Sequence, residues 1–97
     1  MKYTAIYSDY AKEDKKEINN YLSKFYPNTP KRFIASLKKH ISNIKENPYM
    51  YPIYPENPEF RRMFVDNYIV LYEIFEETKK IEINRILRAS WNIQNYL

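Results

Sequence analysis

Three arginines are the side chains best suited to act on a negatively charged partner: Arg61 and Arg62, adjacent in FRRMFV, and Arg88, which follows IEINRIL. A guanidinium stays protonated at pH 7 and presents a planar fork of N–H donors. It can therefore clamp a phosphate or carboxylate and stabilise charge that develops on a phosphorane. It is a poor general base, so proton transfer would have to come from another group. The closing stretch carries Trp91 and Tyr96, rings that read as packing residues or as a contact surface. His40, the only histidine, stands between Lys39 and Ile41 and reads as a surface or boundary residue. With no cysteine and no cluster of carboxylates at ligand spacing, no metal centre is expected. A chain without glycine also has no glycine-rich phosphate loop, and no cofactor is expected.

Those arginines can act together only if their elements aim them at one place. Successive side chains on a strand point to opposite faces, so at most one of Arg61 and Arg62 can face an active surface. The other is expected to bridge a carboxylate such as Glu59 or Glu73. In the run Ile81 to Leu87, Arg85 shares a parity with Ile81, Ile83 and Leu87, which argues for a stem packed along the core with its head in an ion pair. Arg88 shares a parity with Glu82, Asn84 and Ile86. If helices cover the Ile81/Ile83 face, Arg88 stands on the open face, where a partner or target would bind.

The elements themselves follow from spacing. Lys2 to Tyr7 alternates and reads as a strand. Ser8 and Asp9 offer N-cap side chains to a helix from about Asp9 to Phe25, with Ala11, Ile18, Tyr21, Leu22 and Phe25 at helical intervals and Pro27 as its stop. A second helix, Pro30 to Glu46, follows the capping pair Asn28-Thr29 and carries Phe33, Ile34, Leu37, Ile41 and Ile44 on one stripe. So short a link makes the two helices an antiparallel hairpin. Residues 47–59 interleave Pro48, Pro52, Pro55 and Pro58 with Tyr49, Tyr51 and Tyr54, which denies a ladder its donors and predicts an irregular loop that packs its rings over the domain edge. Phe60–Val65, a tight turn at Asp66-Asn67, Tyr68–Phe75, a charged turn and Ile81–Leu87 complete the sheet. Tyr68–Phe75 is apolar on both parities and belongs in its centre. Ser90 could cap a short terminal helix.

At 97 residues this is one domain, 1–97, able to bury roughly 60–70% of its unfolded surface. The fold class expected is α+β: an N-terminal strand, an antiparallel helix hairpin packed on a four-stranded, mainly antiparallel sheet, and a short C-terminal helix. The formal charge is +4 and the pI about 9.2, compatible with nucleic acid, ribosome or an acidic protein as partner. From Ile18 to Lys45 there is no acidic residue, while Lys24, Lys31, Arg32, Lys38, Lys39 and Lys45 are basic. That run reads as a solvated helix face, with a polyanion-binding surface as the alternative. No apolar segment has the length of a signal peptide or a membrane helix, so a cytoplasmic protein with no membrane contact is expected.

Order and spacing together resemble the RelE/ParE superfamily of small bacterial toxins across nearly the whole chain. AKEDKKEINNYL resembles the family's opening helix, ENPYMYP its exit from the second helix, and FRRMFVDNYIVLYEI followed by IEINRIL its basic dipeptide, tight turn, tyrosine-bearing central strand and arginine-bearing last strand. The resemblance implies the toxin of a type II toxin–antitoxin pair, held inactive by a cognate antitoxin, with no small-molecule substrate. RelE-type members cut mRNA on the ribosome, and that branch would cast Arg62, Arg88 and Tyr96 as clamp and proton-transfer groups. ParE-type members instead poison DNA gyrase, and that branch would make Arg61, Arg62, Arg88 and Trp91 target-binding residues. Where many members place a histidine after the last strand, this chain has Arg88, and its ending ILRASWNIQNYL is closer to the ParE-like pattern.

Overall fold

The computed structural model describes residues 2–25 and 28–90. The element order is β1 (Thr4–Tyr7), α1 (Asp9–Phe25), α2 (Thr29–Glu46), β2 (Arg61–Val65), β3 (Tyr68–Phe75) and β4 (Lys80–Arg88). The strands form one sheet in the order β1-β4-β3-β2. The pairings β2–β3 and β3–β4 are antiparallel, whereas β1 runs parallel to β4. The expected α+β architecture is present, with β3 in the interior as its two-sided apolar pattern requires. The expected terminal helix, with Trp91 and Tyr96, lies outside the described residues.

Both helices lie on one face. Ala11 and Ile18 of α1 and Phe33, Leu37, Ile41 and Ile44 of α2 pack with Met63, Val65, Val70, Tyr72, Ile81 and Ile83 of the sheet. Each large side chain so buried contributes roughly 1.5–3 kcal/mol of transfer free energy, which is what holds α2 down. Tyr72 is fully buried within this layer, and its hydroxyl donates to the Pro48 carbonyl oxygen at 2.6 Å. Burial pushes its pKa up to about 12. The opposite face carries a second cluster of Tyr54, Phe60, Ile69, Leu71 and Leu87. It is closed by the proline-rich segment, in which Pro48–Met50 forms a 3-10 turn and Ile53 bridges to Arg61.

Ser8 joins α1 to the sheet. Its Oγ accepts from the Ala11 N–H at 3.0 Å, a helix N-cap, and donates to the Asn84 carbonyl oxygen at 2.7 Å. Asn28 makes no such bond, and α2 starts at Thr29 with a proline in its first turn.

The feature that repositions the arginines is a β-bulge in β4. Leu71 faces Arg85 and Tyr72 faces Ile83, so Asn84 has no opposite number. The extra residue reverses the alternation. Ile86 therefore joins Ile81 and Ile83 in the helix-side core, and Leu87 joins the second cluster instead.

Candidate functional site

Because of the bulge, Arg88 is not on the open face that simple alternation assigns to it. It stands on the helix side, opposite Tyr68, with its guanidinium carbon 4.4 Å from the centroid of the Tyr21 ring. Hydrogen bonding to the Tyr21 hydroxyl first, and then to that of Tyr68, raises its pKa above the ordinary arginine value. Among the described residues no carboxylate pairs with it. Tyr68 is held in turn by Phe33, whose ring centroid is 4.8 Å away.

Tyr21, Tyr68 and Arg88 form the shared wall of two adjoining hollows. One, of about 200 Å³, continues under α1 to Ile18, Ile86 and Asp14. The other, of about 510 Å³, opens towards Phe33, the Asp66-Asn67 turn and Ser90. Together they make a groove between the C-terminal half of α1 and the ends of β3 and β4. The sequence stripe places Tyr21 in the core. It is instead 44% exposed on the rim, 5.2 Å from the equally rim-lying Phe25. The signal that could have found it is its spacing: Tyr21 follows Asp14 by seven residues and Ile18 by three, on the stripe that overhangs β4.

Asp14 anchors the inner end of the groove. Only 8% exposed, it accepts from Arg85 Nε at 2.8 Å, Arg85 Nη2 at 3.0 Å and the Ile86 N–H at 3.0 Å. Its carboxylate thus satisfies the backbone of β4 just where β1, paired only as far as Ile83, has left the edge bare. Arg85 packs over the Tyr10 ring at 5.6 Å, and hydrogen bonding to Asp14 is the main cause of its raised pKa. The ion-pair role read from the sequence is present, although the parity that suggested it is broken by Asn84.

Arg61 and Arg62 are placed differently. Arg61, opposite Tyr72, lies on the helix-side face, where Nη1 donates to the Tyr51 carbonyl oxygen at 2.7 Å and the head covers Tyr49 at 4.9 Å. Arg62, opposite Leu71, lies on the other face over the rings of Tyr54 and Phe64, at 5.8 and 5.4 Å. Its Nε is buried with no acceptor among the described residues. Neither bridges Glu59 or Glu73 as expected. The proline-rich segment instead brings carbonyl and ring partners closer than any acid, and Glu73 has its pKa raised, by burial first and then by Glu59 and Glu82. An arginine partner would lower it.

Arg62 and Arg88 therefore stand on opposite faces of the sheet, since their partners Leu71 and Tyr68 differ in parity along β3. His40 is remote, with Nδ1 2.7 Å from the Ser36 carbonyl oxygen. Among the described residues no group of His, Cys, Asp or Glu could hold a metal ion, and no helix is long and apolar enough to cross a membrane. Among the described residues the groove offers the Tyr21 and Tyr68 rings and the Arg88 cation, with Asp14 and Glu17 on its inner wall, while Arg62 lies on the other sheet face.

Comparison with known proteins agrees with this architecture. The family profile described as "ParE toxin of type II toxin-antitoxin system, parDE" matches residues 5–92. Among solved structures, a chain of the chromosomal ParDE toxin–antitoxin system from P. aeruginosa superposes with a TM-score of 0.76 at 15% identity, covering 91% of this chain and 97% of the other. A chain of the toxin–antitoxin complex RelBE2 from Mycobacterium tuberculosis gives 0.66 at 19% identity, covering 91% and 99%. The isolated E. coli RelE toxin gives 0.65 at 13% identity, covering 98% and 99%. No curated protein sequence matches the chain.

Proposed function

The chain belongs to the ParE toxin family of type II toxin–antitoxin systems, and from that premise we propose that it acts as a gyrase poison that binds its target and cuts no RNA. The observation that carries this reading is the separation of Arg62 and Arg88 on opposite sheet faces. A phosphoryl-transfer site needs its clamp, acid and base within hydrogen-bond reach of one phosphate. These two arginines cannot share one. A binding site has no such demand, and Tyr and Arg in a partly desolvated groove are the residue types that dominate protein–protein affinity.

The roles follow from the groove. Arg88, held over Tyr21 and beside Tyr68, offers its donors to a carboxylate or carbonyl of the target, while the two rings supply contact area at little cost in side-chain entropy. Trp91 extends the target-binding set beyond the described residues. Neutralisation falls to a cognate antitoxin whose tail, disordered when free, folds across the open sheet face and the helix hairpin. Phe64, Ile6 and Phe75, between 42% and 53% exposed, give such a tail apolar purchase on the sheet.

The second reading, a ribosome-dependent endoribonuclease using Arg62, Arg88 and Tyr96, makes a different prediction. Controlled expression in cells, followed by separate scoring of DNA replication, translation and transcript ends, tests the choice. Filamentation and DNA damage with intact transcripts is the outcome expected. Rapid translation arrest with codon-phased cuts would establish the nuclease instead.

A further inference from the structure

The exposed side of α2 carries little counter-charge: Asp66 accepts from Ser36 Oγ at 3.2 Å but pairs with none of the helix's basic side chains among the described residues. Lys31, Arg32, Lys38 and Lys39 are exposed and Lys45 is half-buried, and none of their side chains makes an ion pair or hydrogen bond among the described residues. A solvated helix usually interleaves acids three or four residues away from its lysines. Here the one acid of α2 is its last residue, Glu46, which pairs with Lys2 at 3.2 Å. Lys31, Lys38 and Lys45 repeat every seven residues, so they form one stripe about 21 Å long, and Arg32 and Lys39 run beside it. Lys31 and Lys38 also flank a shallow hollow against Asn19 of α1. By helical spacing Lys16 and Lys12 continue that edge one and two turns earlier.

We propose that this face of α2 is a sequence-independent binding surface for the phosphate backbone of duplex DNA. Composition decides between a protein and a nucleic acid. Lysine is depleted at protein interfaces, whose cores are aromatic, whereas phosphates are contacted by Lys, Arg, Ser and Asn. Ser42 and Asn43 are exposed on this helix, whereas of its two aromatic rings Phe33 is buried and His40 is half-buried, with Nδ1 against the Ser36 carbonyl oxygen. The exposed Tyr and Phe rings among the described residues lie on other elements: Tyr10, Tyr21 and Phe25 on α1, Tyr49 in the proline-rich segment, and Phe64 and Phe75 on the sheet. The lack of a fully exposed ring on this face also favours a duplex over single-stranded RNA, which is read by stacking. A straight basic stripe of this length spans the backbones that flank a B-form major groove, roughly 12 Å wide, which the deep and narrow groove of A-form RNA does not offer. The surface goes beyond the gyrase reading and holds whether or not gyrase is the target.

The test uses the full chain with a fluorescein-labelled 20-base-pair DNA duplex of arbitrary sequence, without gyrase, titrated at 50 and 200 mM salt. With about four phosphates neutralised, affinity should fall about 10²-fold between those concentrations. In the variant carrying Lys31→Gln, Lys38→Gln and Lys39→Gln, the same salt change should cost only about 4-fold. An unchanged circular dichroism spectrum and thermal midpoint would confirm that the variant folds. Three results would overturn the proposal: no binding by the parent at 50 mM salt, a parental salt slope in the triple variant, or tighter binding to duplex RNA or to polyglutamate than to the DNA.

Discussion

At the scale of single residues, Asp14 and Arg88 divide the work of the groove between stability and recognition. Asp14 is a buried carboxylate serving Arg85 and the Ile86 N–H together. Removing one partner of such a pair leaves the other uncompensated, which costs about 3 kcal/mol. Asp14→Ala should therefore lower the midpoint of thermal unfolding by roughly 12–24 °C for a domain of this size. A shift of only a few degrees would mean that the pair is not holding the bare edge of β4. Arg88 makes no contact that the core depends on, so Arg88→Ala should leave the midpoint within a few degrees of the parent while weakening toxicity only partially, as one binding contact among several. Complete loss of toxicity together with loss of RNA cleavage would point to transition-state stabilisation, worth ~3–4 kcal/mol or roughly 10²–10³-fold in rate. Glu76 adds a pH test. Hydrogen bonds from Lys79, Tyr49 and Tyr3 hold its pKa down to about 2, against 4.5 ordinarily. A depressed folded-state pKa stabilises above the unfolded value and is lost as pH falls through the folded one. Glu76→Gln should lower the midpoint at pH 7, and the difference from the parent should close between pH 4.5 and pH 2; a constant offset across that range would contradict it.

At the scale of elements, the decisive one is the bulged strand β4. Its extra residue, Asn84, brings Ile86 into the helix-side core and Arg88 beneath α1. Deleting Asn84 would leave Arg85, Ile86 and Arg88 opposite Leu71, Val70 and Tyr68, so Ile86 and Arg88 keep their face and the loss is the carbonyl that Ser8 Oγ holds. The deletion variant should therefore keep the groove and lose about 1 kcal/mol, the worth of one hydrogen bond. A loss of several kcal/mol with Ile86 turned out to solvent would show that the register is wrong. This element also marks where the sequence stops being readable. The bounds Asp9–Phe25 and Tyr68–Phe75 follow from the local pattern and agree residue for residue. Long amphipathic periods and a two-sided apolar strand are dictated by near neighbours. A bulge is set by a partner strand and by Ser8, whose Oγ bonds the Asn84 carbonyl from 76 residues away. In IEINRIL the apolar residues Ile81, Ile83, Ile86 and Leu87 fit alternation up to Ile83, and only the adjacent pair Ile86-Leu87 betrays the change of phase. The partners of Arg61 and Arg62 were hidden for a similar reason, since a proline-rich segment supplies carbonyls and rings whose positions no local period encodes.

At the scale of the whole molecule, the fold separates three surfaces of different chemistry. The aromatic groove with Arg88 lies at one end of the helix layer, the unpaired lysines cover the outside of α2, and the second sheet face shows Phe64, Ile6 and Phe75. A partner segment that covers the groove and sheet should stabilise the chain by mass action, about 2.7 kcal/mol at a hundredfold excess over its dissociation constant. Titrating the purified antitoxin should thus raise the midpoint steadily, and no change at micromolar concentrations would remove it as a ligand of the folded toxin. The central claim is that this arrangement acts on gyrase by binding. Its most direct measurement incubates the purified chain with gyrase, ATP and relaxed plasmid, and resolves the products after protein digestion. The account predicts loss of supercoiling with accumulation of linear, gyrase-cleaved plasmid, suppressed by prior addition of antitoxin. Full supercoiling and no cleaved plasmid at a toxin concentration that arrests growth would contradict it.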